Sequence, residues 1–147
     1  MLIATWNVNS VRTRLSQITN WIKNVNPDIL CLQETKVIDD SFPSTPFEEL
    51  GYEVIKYGQK SYNGVAIISK LKIENVKKGF SHQYKEKKIS AEFEEQKRLI
   101  SADINGLKII NVYVPNGSSI DSDKFDYKIK WLNLLSSFID EQVEDDD

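Results

Sequence analysis

The chain contains three short apolar segments, far apart in sequence, that each run directly into polar residues. They are residues 2–6, 29–31 and 109–114, and each is followed by amide, carboxylate or hydroxyl groups. Strands that are apolar on both faces are typical of α/β folds, in which ligands bind beyond the strand ends. The second segment leads into Leu32-Gln33-Glu34-Thr35-Lys36, which places the Glu34 carboxylate at such an edge. The pattern therefore predicts an α/β fold with a polar site where these strands end.

Hydrophobic periodicity predicts a strand-rich centre between two amphipathic helices. The first helix lies within residues 11–25, with Asn9 or Ser10 as its N-cap, and the second covers about 124–143. Asn105-Gly106 predicts a tight two-residue hairpin turn, because both residues accept positive backbone angles. The predicted strands are 2–6, 29–32, 52–57, 65–69, 89–94, 99–104 and 107–114.

Composition places the chain among globular proteins of one domain. It has 147 residues, of which 40% are hydrophobic. No apolar run approaches the ~20 residues that cross a membrane, and polar residues interrupt the N-terminus where a signal peptide needs an apolar core. We therefore predict a cytoplasmic protein with no membrane segment. Cys31 is the single cysteine and sits in an apolar run, which indicates an inert core thiol.

The charge is unevenly distributed along the chain. The formal net charge is −3, from 19 basic and 22 acidic residues, and six of the acids lie within residues 140–147. Without that segment the counts are 19 basic and 16 acidic, which gives +3. The net acidity therefore does not exclude binding to nucleic acid.

Five segments together resemble the exodeoxyribonuclease III family of apurinic/apyrimidinic endonucleases. They are residues 6–12, 32–36, 62–66, 98–100 and 113–117, and they follow the family's order and spacing. The resemblance implies two stacked sheets with helices outside. It identifies this chain as half of a four-layer α/β sandwich, with a mixed sheet and helices on one face. Residues 1–147 would then form a single incomplete domain, the N-terminal half.

The resemblance covers only part of the family pattern. Family members are about twice as long, and this chain stops before their Gly-Asp-Phe-Asn-like turn and their later Asp and Asp-His elements. The inner face of the sheet is therefore expected to be bare. A second polypeptide or a second copy would cover it, or the sequence is a fragment.

Glu34 and Asn7 are the predicted metal ligands. Mg²⁺ prefers oxygen ligands and often uses one or two carboxylates together with waters and substrate phosphate, which suits one carboxylate at a strand end. From local sequence alone, Glu34 is equally well a solvated surface residue, and Asn7 an ordinary turn residue. The resemblance favours the metal site, with Mn²⁺ as an alternative ion.

Tyr113 is the predicted catalytic residue. The resemblance brings this tyrosine to the scissile phosphate, where its phenol would donate a hydrogen bond in the transition state. An ordinary phenol pKa near ~10 makes ionisation demanding without a nearby cation. The predicted substrate-binding residues are Asn9, Arg12, Lys36, Tyr62, Arg98 and Asn116.

The activity implied is metal-dependent hydrolysis of DNA phosphodiester bonds 5′ to abasic sites, with trimming of 3′ ends. Its substrate would be double-stranded DNA. The general base lies in elements that this sequence lacks, so we expect little or no activity from the chain alone, and whether it is an enzyme stays open. Two alternatives remain: a non-catalytic nucleic-acid-binding or interaction module on the same half-fold, and a phosphatase acting on a lipid or inositol phosphate. His82 is predicted to be a surface residue rather than a catalytic one.

Overall fold

The computed structural model describes residues 1–80 and 96–145, with side chains up to Val143. The predicted strand 89–94 and His82 lie outside these residues. The described residues form two compact units. The first contains residues 1–79 and 96–113, and the second contains Phe80 and residues 114–145.

The first unit contains seven strands and two α-helices. A single 3₁₀ turn, Asp39–Ser41, precedes the second helix. In chain order the elements are β1 Ile3–Asn7, α1 Leu15–Val25, β2 Ile29–Gln33, α2 Ser44–Glu49, β3 Glu53–Tyr57, β4 Val65–Ser69, β5 Ile73–Lys78, β6 Leu99–Ile104 and β7 Leu107–Val112.

These strands form two sheets. The larger has the order β1-β2-β4-β3, and the smaller has the order β5-β6-β7. Strands β1 and β2 are parallel, as expected when a helix connects neighbouring strands, and every other pair is antiparallel. Asn105 and Gly106 adopt φ angles of 51° and 78°, which confirms the predicted turn between β6 and β7. The result is a mixed α/β fold, as the sequence predicted.

Alternation along β2 divides the interior of this unit into two cores. Leu30 and Leu32 point to the side of the helices, where they pack with Ile18, Ile22 and Phe47. We call this the helix-side core. Residues of β2 at the intervening positions point to the smaller sheet. The sheet-side core contains Ile29, Cys31, Val65, Ile67, Ile73, Ile100, Ala102 and Ile104.

The expected bare inner face is therefore wrong for most of the larger sheet. The sequence prediction missed β5, whose residues 73–78 join the β6–β7 hairpin, and the three strands cover β2 and β4. Among the described residues, the inner face is exposed at β1, where Ile3 is 44% exposed and Thr5 is also exposed.

The second unit is built on one long helix, α3, Asp123–Asp145. Trp131 and Phe138 lie seven residues apart on the same side of α3, and both are fully buried. The ring of Phe80 meets each of them edge to face, at centroid distances of 5.9 and 5.7 Å.

Helix α1 begins later than predicted. Its N-cap is Arg14, which makes no side-chain capping bond, so the predicted caps Asn9 and Ser10 are wrong. Ser10 instead accepts a hydrogen bond from Thr13 N–H within the turn that precedes the helix, at 3.3 Å. None of the helices in the described residues has the length and apolarity needed to cross a bilayer.

Candidate functional site

Three loops at one end of the larger sheet are joined to each other through backbone atoms. Ser10 and Val11 N–H donate to the carbonyls of Glu34 and Thr35, at 2.8 and 3.1 Å. Thr35 and Lys36 N–H in turn donate to the carbonyls of Gly64 and Asn63, at 3.2 and 2.9 Å. The loops after β1 and β2 and the loop before β4 therefore form one continuous frame, which holds the side chains of residues 7–10 and 34–36.

Gly64 is required for this frame. Its φ is +94°, a conformation that other residues rarely adopt, and a Cβ there would collide with the Thr35 hydroxyl. Thr35 itself is 1% exposed, and within the described part of the chain its Oγ1 has no hydrogen-bond partner. The close approach of the two loops thus depends on the absence of a side chain at position 64.

Glu34 and Tyr113 meet at this end of the unit. Glu34 has a left-handed backbone, with φ 56°, which turns the chain as it leaves β2. Tyr113 directly follows β7, and its hydroxyl donates a hydrogen bond to Glu34 Oε1. Two residues 79 positions apart, one from each sheet, therefore contact each other directly.

Asn111 fixes the relation between the two sheets close to this contact. It is 3% exposed, and its Nδ2 donates to the carbonyls of Leu32 and Ala66, at 2.9 and 2.8 Å. Its Oδ1 accepts from Gln33 Nε2 at 2.8 Å. A buried amide whose hydrogen bonds are this well satisfied allows one arrangement of the strands, because any shift leaves polar groups unpaired. Asn111 therefore sets how β7 lies on β2 and β4.

Arg98 packs against Tyr113. Its guanidinium carbon lies 4.7 Å from the centre of the Tyr113 ring, and its Nη1 donates to the Tyr113 carbonyl at 3.1 Å. Tyr113 N–H donates to the Arg98 carbonyl at 2.8 Å. These contacts orient the phenol and bring a cation to its face.

The pKa of the Tyr113 phenol is raised above its ordinary value. Burial is the main cause, and the hydrogen bond to Glu34 and the negative charge of that carboxylate add to it. The nearby Arg98 opposes these effects without overcoming them. Tyr113 is thus a protonated hydrogen-bond donor at neutral pH.

Polar side chains from the end of β1 and the loop after it lie on the same frame. Asn7 Oδ1 accepts from Asn9 N–H at 3.2 Å, and Asn9 Oδ1 accepts from Lys36 Nζ at 2.5 Å. Asn7 and Asn9 are exposed, and Lys36 is half-buried. Their polar groups are therefore accessible to a ligand at this strand end.

The remaining predicted substrate-binding residues are more scattered. Arg12 is exposed beyond the loop after β1. Tyr62 is 70% exposed in the loop before β4. Asn116 belongs to the second unit, where its side chain accepts from Ser118 N–H at 2.9 Å, as in an ordinary turn.

The donor set at this end suits a hard cation but is sparse. Glu34 supplies one carboxylate and Asn7 one amide oxygen, and both are oxygen ligands of the kind that Mg²⁺ uses. Among the described residues, no group of three or more His, Cys, Asp or Glu side chains could hold a metal ion. These residues therefore fit part of a magnesium site, to which waters, phosphate or further residues would have to contribute.

The sequence analysis missed Asn111 and Gln33 as residues that shape the site. Gln33 Nε2 also donates to Thr5 Oγ1 at 2.8 Å, so the amide network reaches β1. One signal was available: Asn111 interrupts an apolar strand at a position whose neighbours two residues away, Ile109 and Tyr113, point to the core.

Comparisons with known proteins show which family the chain is similar to. Residues 4–128 match the model of the Endonuclease/Exonuclease/phosphatase family. The chain is 33% identical over 147 residues to exodeoxyribonuclease III of Haemophilus influenzae, covering 97% of this chain and 52% of that protein.

Two solved structures are similar over almost the whole chain. A 3′ phosphatase from Neisseria, bound to a product DNA hairpin, is 39% identical with a TM-score of 0.87, covering 98% of this chain and 53% of that one. An AP endonuclease from Archaeoglobus fulgidus is 44% identical with a TM-score of 0.85, covering 96% and 52%. The chain thus spans about half the length of these relatives, and the resemblance to exodeoxyribonuclease III is confirmed.

Proposed function

The chain belongs to the endonuclease/exonuclease/phosphatase family, and on that premise we propose that it forms the cation-binding half of a DNA-repair phosphodiesterase. The reaction is hydrolysis of DNA phosphodiester bonds 5′ to abasic sites, with trimming of 3′ ends, as in exodeoxyribonuclease III. The observation that carries the proposal is the direct hydrogen bond between Tyr113 and Glu34, which joins a carboxylate and a protonated phenol at one strand end.

Glu34 would hold a Mg²⁺ ion, or Mn²⁺, with the amide oxygen of Asn7 as a further ligand. Such an ion, when bound, polarises a phosphoryl oxygen and stabilises the leaving oxygen. Tyr113 keeps its proton at neutral pH because its pKa is raised. With Glu34 bound to the cation, the Tyr113 hydroxyl would donate its one hydrogen bond to a phosphate oxygen in place of the carboxylate. Arg98 holds the ring in place for that contact.

DNA binding would use the residues around this pair. Lys36 and Arg12 suit contacts to phosphates, and the exposed ring of Tyr62 suits packing on a sugar or an unstacked base. Asn9 would donate amide hydrogens to phosphate oxygens. Asn116, in the second unit, remains a predicted phosphate contact. The DNA hairpin bound to the Neisseria 3′ phosphatase supports DNA as the ligand class, and the proposed ligand is duplex DNA with abasic sites or 3′ ends.

The general base would come from outside these residues. We propose that residues 1–147 act as one incomplete domain in the cytoplasm, and that a second polypeptide or a second copy supplies what the described site lacks. Losing one member of a cooperative catalytic set costs several orders of magnitude in rate, so the chain alone would cut DNA very slowly.

Calorimetric titration with Mn²⁺ and Mg²⁺ tests the cation site without requiring activity. We expect Glu34→Gln to weaken binding by about tenfold or more, since it removes the one carboxylate at the site, whereas Glu48→Gln on the exposed face of α2 leaves it unchanged. Equal cation binding by the wild type and Glu34→Gln would contradict the proposal.

Fluorescence anisotropy with an abasic-site duplex separates the proposed function from its alternatives. Cation-dependent binding that Glu34→Gln weakens supports a nuclease half. Salt-dependent binding that ignores the cation supports a non-catalytic nucleic-acid-binding module. Robust cutting by the isolated chain, abolished in Glu34→Gln, would show that the chain needs no further residues.

A further inference from the structure

The loop between β3 and β4, residues 58–64, presents an aromatic ring to solvent. We call it the β3–β4 loop. Tyr62 is 70% exposed, whereas Gly64, two residues later, is buried. An aromatic ring stabilises a fold mainly through burial, so a ring exposed to this degree does little to fix its own position. The position of Tyr62 therefore depends on how the backbone of this loop is held.

Gln59 holds the loop to the segment that leads into β6. Its Oε1 accepts from the backbone N–H of Lys97 at 2.7 Å and from Asn63 Nδ2 at 3.3 Å. The Lys97 carbonyl in turn accepts from Gly64 N–H at 2.9 Å. Lys97 thus holds the loop at residues 59 and 64, on either side of Tyr62.

The start and the middle of the loop are held as well. Gly58 N–H donates to Asp39 Oδ1 at 2.8 Å, and Ser61 N–H donates to the Lys36 carbonyl at 3.3 Å. Gly58 also lies so close to the loop after β2 that a Cβ there would collide with the carbonyl of Val37. The β3–β4 loop is therefore bonded to two different parts of the chain.

The backbone on both sides of Tyr62 has unusual conformations. Ser61 and Asn63 have φ angles of 69° and 55°, in the left-handed region that residues other than glycine rarely adopt. Tyr62 N–H donates to the Lys60 carbonyl at 2.8 Å, which closes a three-residue turn around Ser61. Such conformations persist only where surrounding contacts over-determine them, and they concentrate at binding sites. The hydrogen bonds of Gln59 are contacts of this kind.

The same segment connects the loop to the candidate site. Arg98 directly follows Lys97 and packs on the ring of Tyr113, whose hydroxyl donates to Glu34. Two adjacent residues therefore hold the β3–β4 loop and the phenol of the site. This arrangement fixes where Tyr62 lies relative to the pair formed by Tyr113 and Glu34.

We propose that Gln59 is a positioning residue for DNA binding, which holds the β3–β4 loop in the conformation that presents Tyr62 to a sugar or an unstacked base. The proposal rests on the proposed function, because it takes DNA as the ligand of Tyr62. A ring that is fixed before binding loses less conformational entropy when DNA binds, so Gln59 contributes to affinity without touching DNA. Its Oε1 is the acceptor in both hydrogen bonds, so a carboxylate can replace the amide and an apolar side chain cannot.

Amide hydrogen exchange of the purified chain tests the role of Gln59 in the loop without DNA. Gln59→Met keeps the length of the side chain but removes the oxygen acceptor, so we expect exchange at the Lys97 amide to accelerate by about fivefold or more. Gln59→Glu keeps an acceptor and should restore the protection. The matched control is Gln17→Met at an exposed position of α1, which should leave this exchange unchanged. Unchanged exchange in Gln59→Met, or equal acceleration in Gln59→Glu, overturns the proposal.

Fluorescence anisotropy with an abasic-site duplex tests whether Gln59 acts through Tyr62. We expect Tyr62→Ala to weaken binding by about tenfold, as for the loss of one stacked base, and Gln59→Met to weaken it by about fivefold. In a chain that already carries Tyr62→Ala, Gln59→Met should have no further effect. An equal effect of Gln59→Met in both backgrounds would mean that Gln59 contacts DNA itself or only stabilises the fold, and would overturn the positioning role.

Failure of this role can be told apart from failure of the proposed function. If Tyr62→Ala weakens binding and Gln59→Met does not, the role of Gln59 is wrong and the proposed function stands. If Tyr62→Ala binds as tightly as the wild type, Tyr62 is not a DNA contact and the role of Gln59 is wrong with it. A wild-type chain that binds no abasic-site duplex contradicts the proposed function itself, and the positioning role with it.

Discussion

The two faces of the larger sheet have different kinds of interior. On the helix side, β2 and β4 present Leu30, Leu32, Ala66 and Ile68 to two helices, and that core consists of apolar and aromatic side chains. On the other side the interior changes in character along the strands. It is aliphatic around Ile29 and Ile67, and it becomes polar toward the end of β2, where the network of residues 33, 111 and 5 lies.

This difference means that one face of the sheet mainly supplies folding stability and the other mainly positions the side chains of the site. Apolar packing is favourable and non-directional, so it holds elements together without specifying their register closely. Buried hydrogen bonds add little net stability but penalise every arrangement that breaks them. The helix side should therefore carry most of the folding free energy, and the sheet side should hold Tyr113 against Glu34.

The largest stability effect should come from the helix-side core. Phe47→Ala removes a fully buried ring from α2, and we expect a loss of about 3–5 kcal/mol in unfolding free energy, measured by urea denaturation. The control is Val25→Ala at the exposed end of α1, where the change should be small. If folded Phe47→Ala also shifts the titration of the Tyr113 phenol, the two sides are not independent.

Alkaline pH should lower the stability of the fold through Cys31 in the sheet-side core. Burial raises the pKa of the Cys31 thiol from 9.0 to about 11, so the folded state holds this proton more tightly than the unfolded state. The corresponding stability is present below pH 9 and is lost as pH rises toward 11, by on the order of 2–3 kcal/mol. Unfolding free energies of wild type and Cys31→Ala should therefore converge over that pH range. Parallel pH profiles would show that the thiol is not buried as described.

Removal of the Asn111 amide should affect the placement of Tyr113 more than the free energy of unfolding. Asn111→Leu leaves the carbonyls of Leu32 and Ala66 without their donor, which should cost about 1–3 kcal/mol. It should also lower the pKa of the Tyr113 phenol toward its ordinary value, as measured by ultraviolet titration. Ile109→Val, on the same face of β7, is the control, since it should lower stability by about 1 kcal/mol without moving that pKa. Equal pKa changes in both variants would assign Asn111 a packing role only.

The smallest effect on unfolding free energy should come from the hydrogen bond between Tyr113 and Glu34. Tyr113→Phe removes only a hydroxyl that is partly accessible to solvent, so we expect a loss of about 1 kcal/mol or less. A double-mutant cycle with Glu34→Gln, measured by urea denaturation, isolates the pair. A coupling near zero would mean that solvent replaces this hydrogen bond without cost.

The sequence predicted the elements with strong local signals. Val65–Ser69 and Leu99–Ile104 were predicted at their observed bounds, because apolar runs limited by polar residues are unambiguous. The last helix was also found, but its predicted stripe included Ile129 and Ile139, which are 42% and 40% exposed. The buried residue at the centre of α3 is Trp131, which that stripe left out.

Features that depend on distant partners were not predictable. Strand β5, IENVKK, is mostly polar, and it is a strand because β6 pairs with it rather than because of its own pattern. The Tyr113–Glu34 contact was expected from the resemblance only as a shared site. Its direct form depends on Asn111, whose two carbonyl partners lie 79 and 45 residues away in sequence.

The loops around Glu34 are tied to each other through peptide hydrogen bonds, to which the Lys36–Asn9 side-chain contact is added. Such a backbone scaffold accepts many different side chains at the positions it presents. Gly64 is the exception, because a side chain there would collide with Thr35. Side chains presented by these loops can therefore change during evolution while the backbone of the loops keeps its conformation. One architecture of this kind can serve enzymes that differ in the phosphoesters they select.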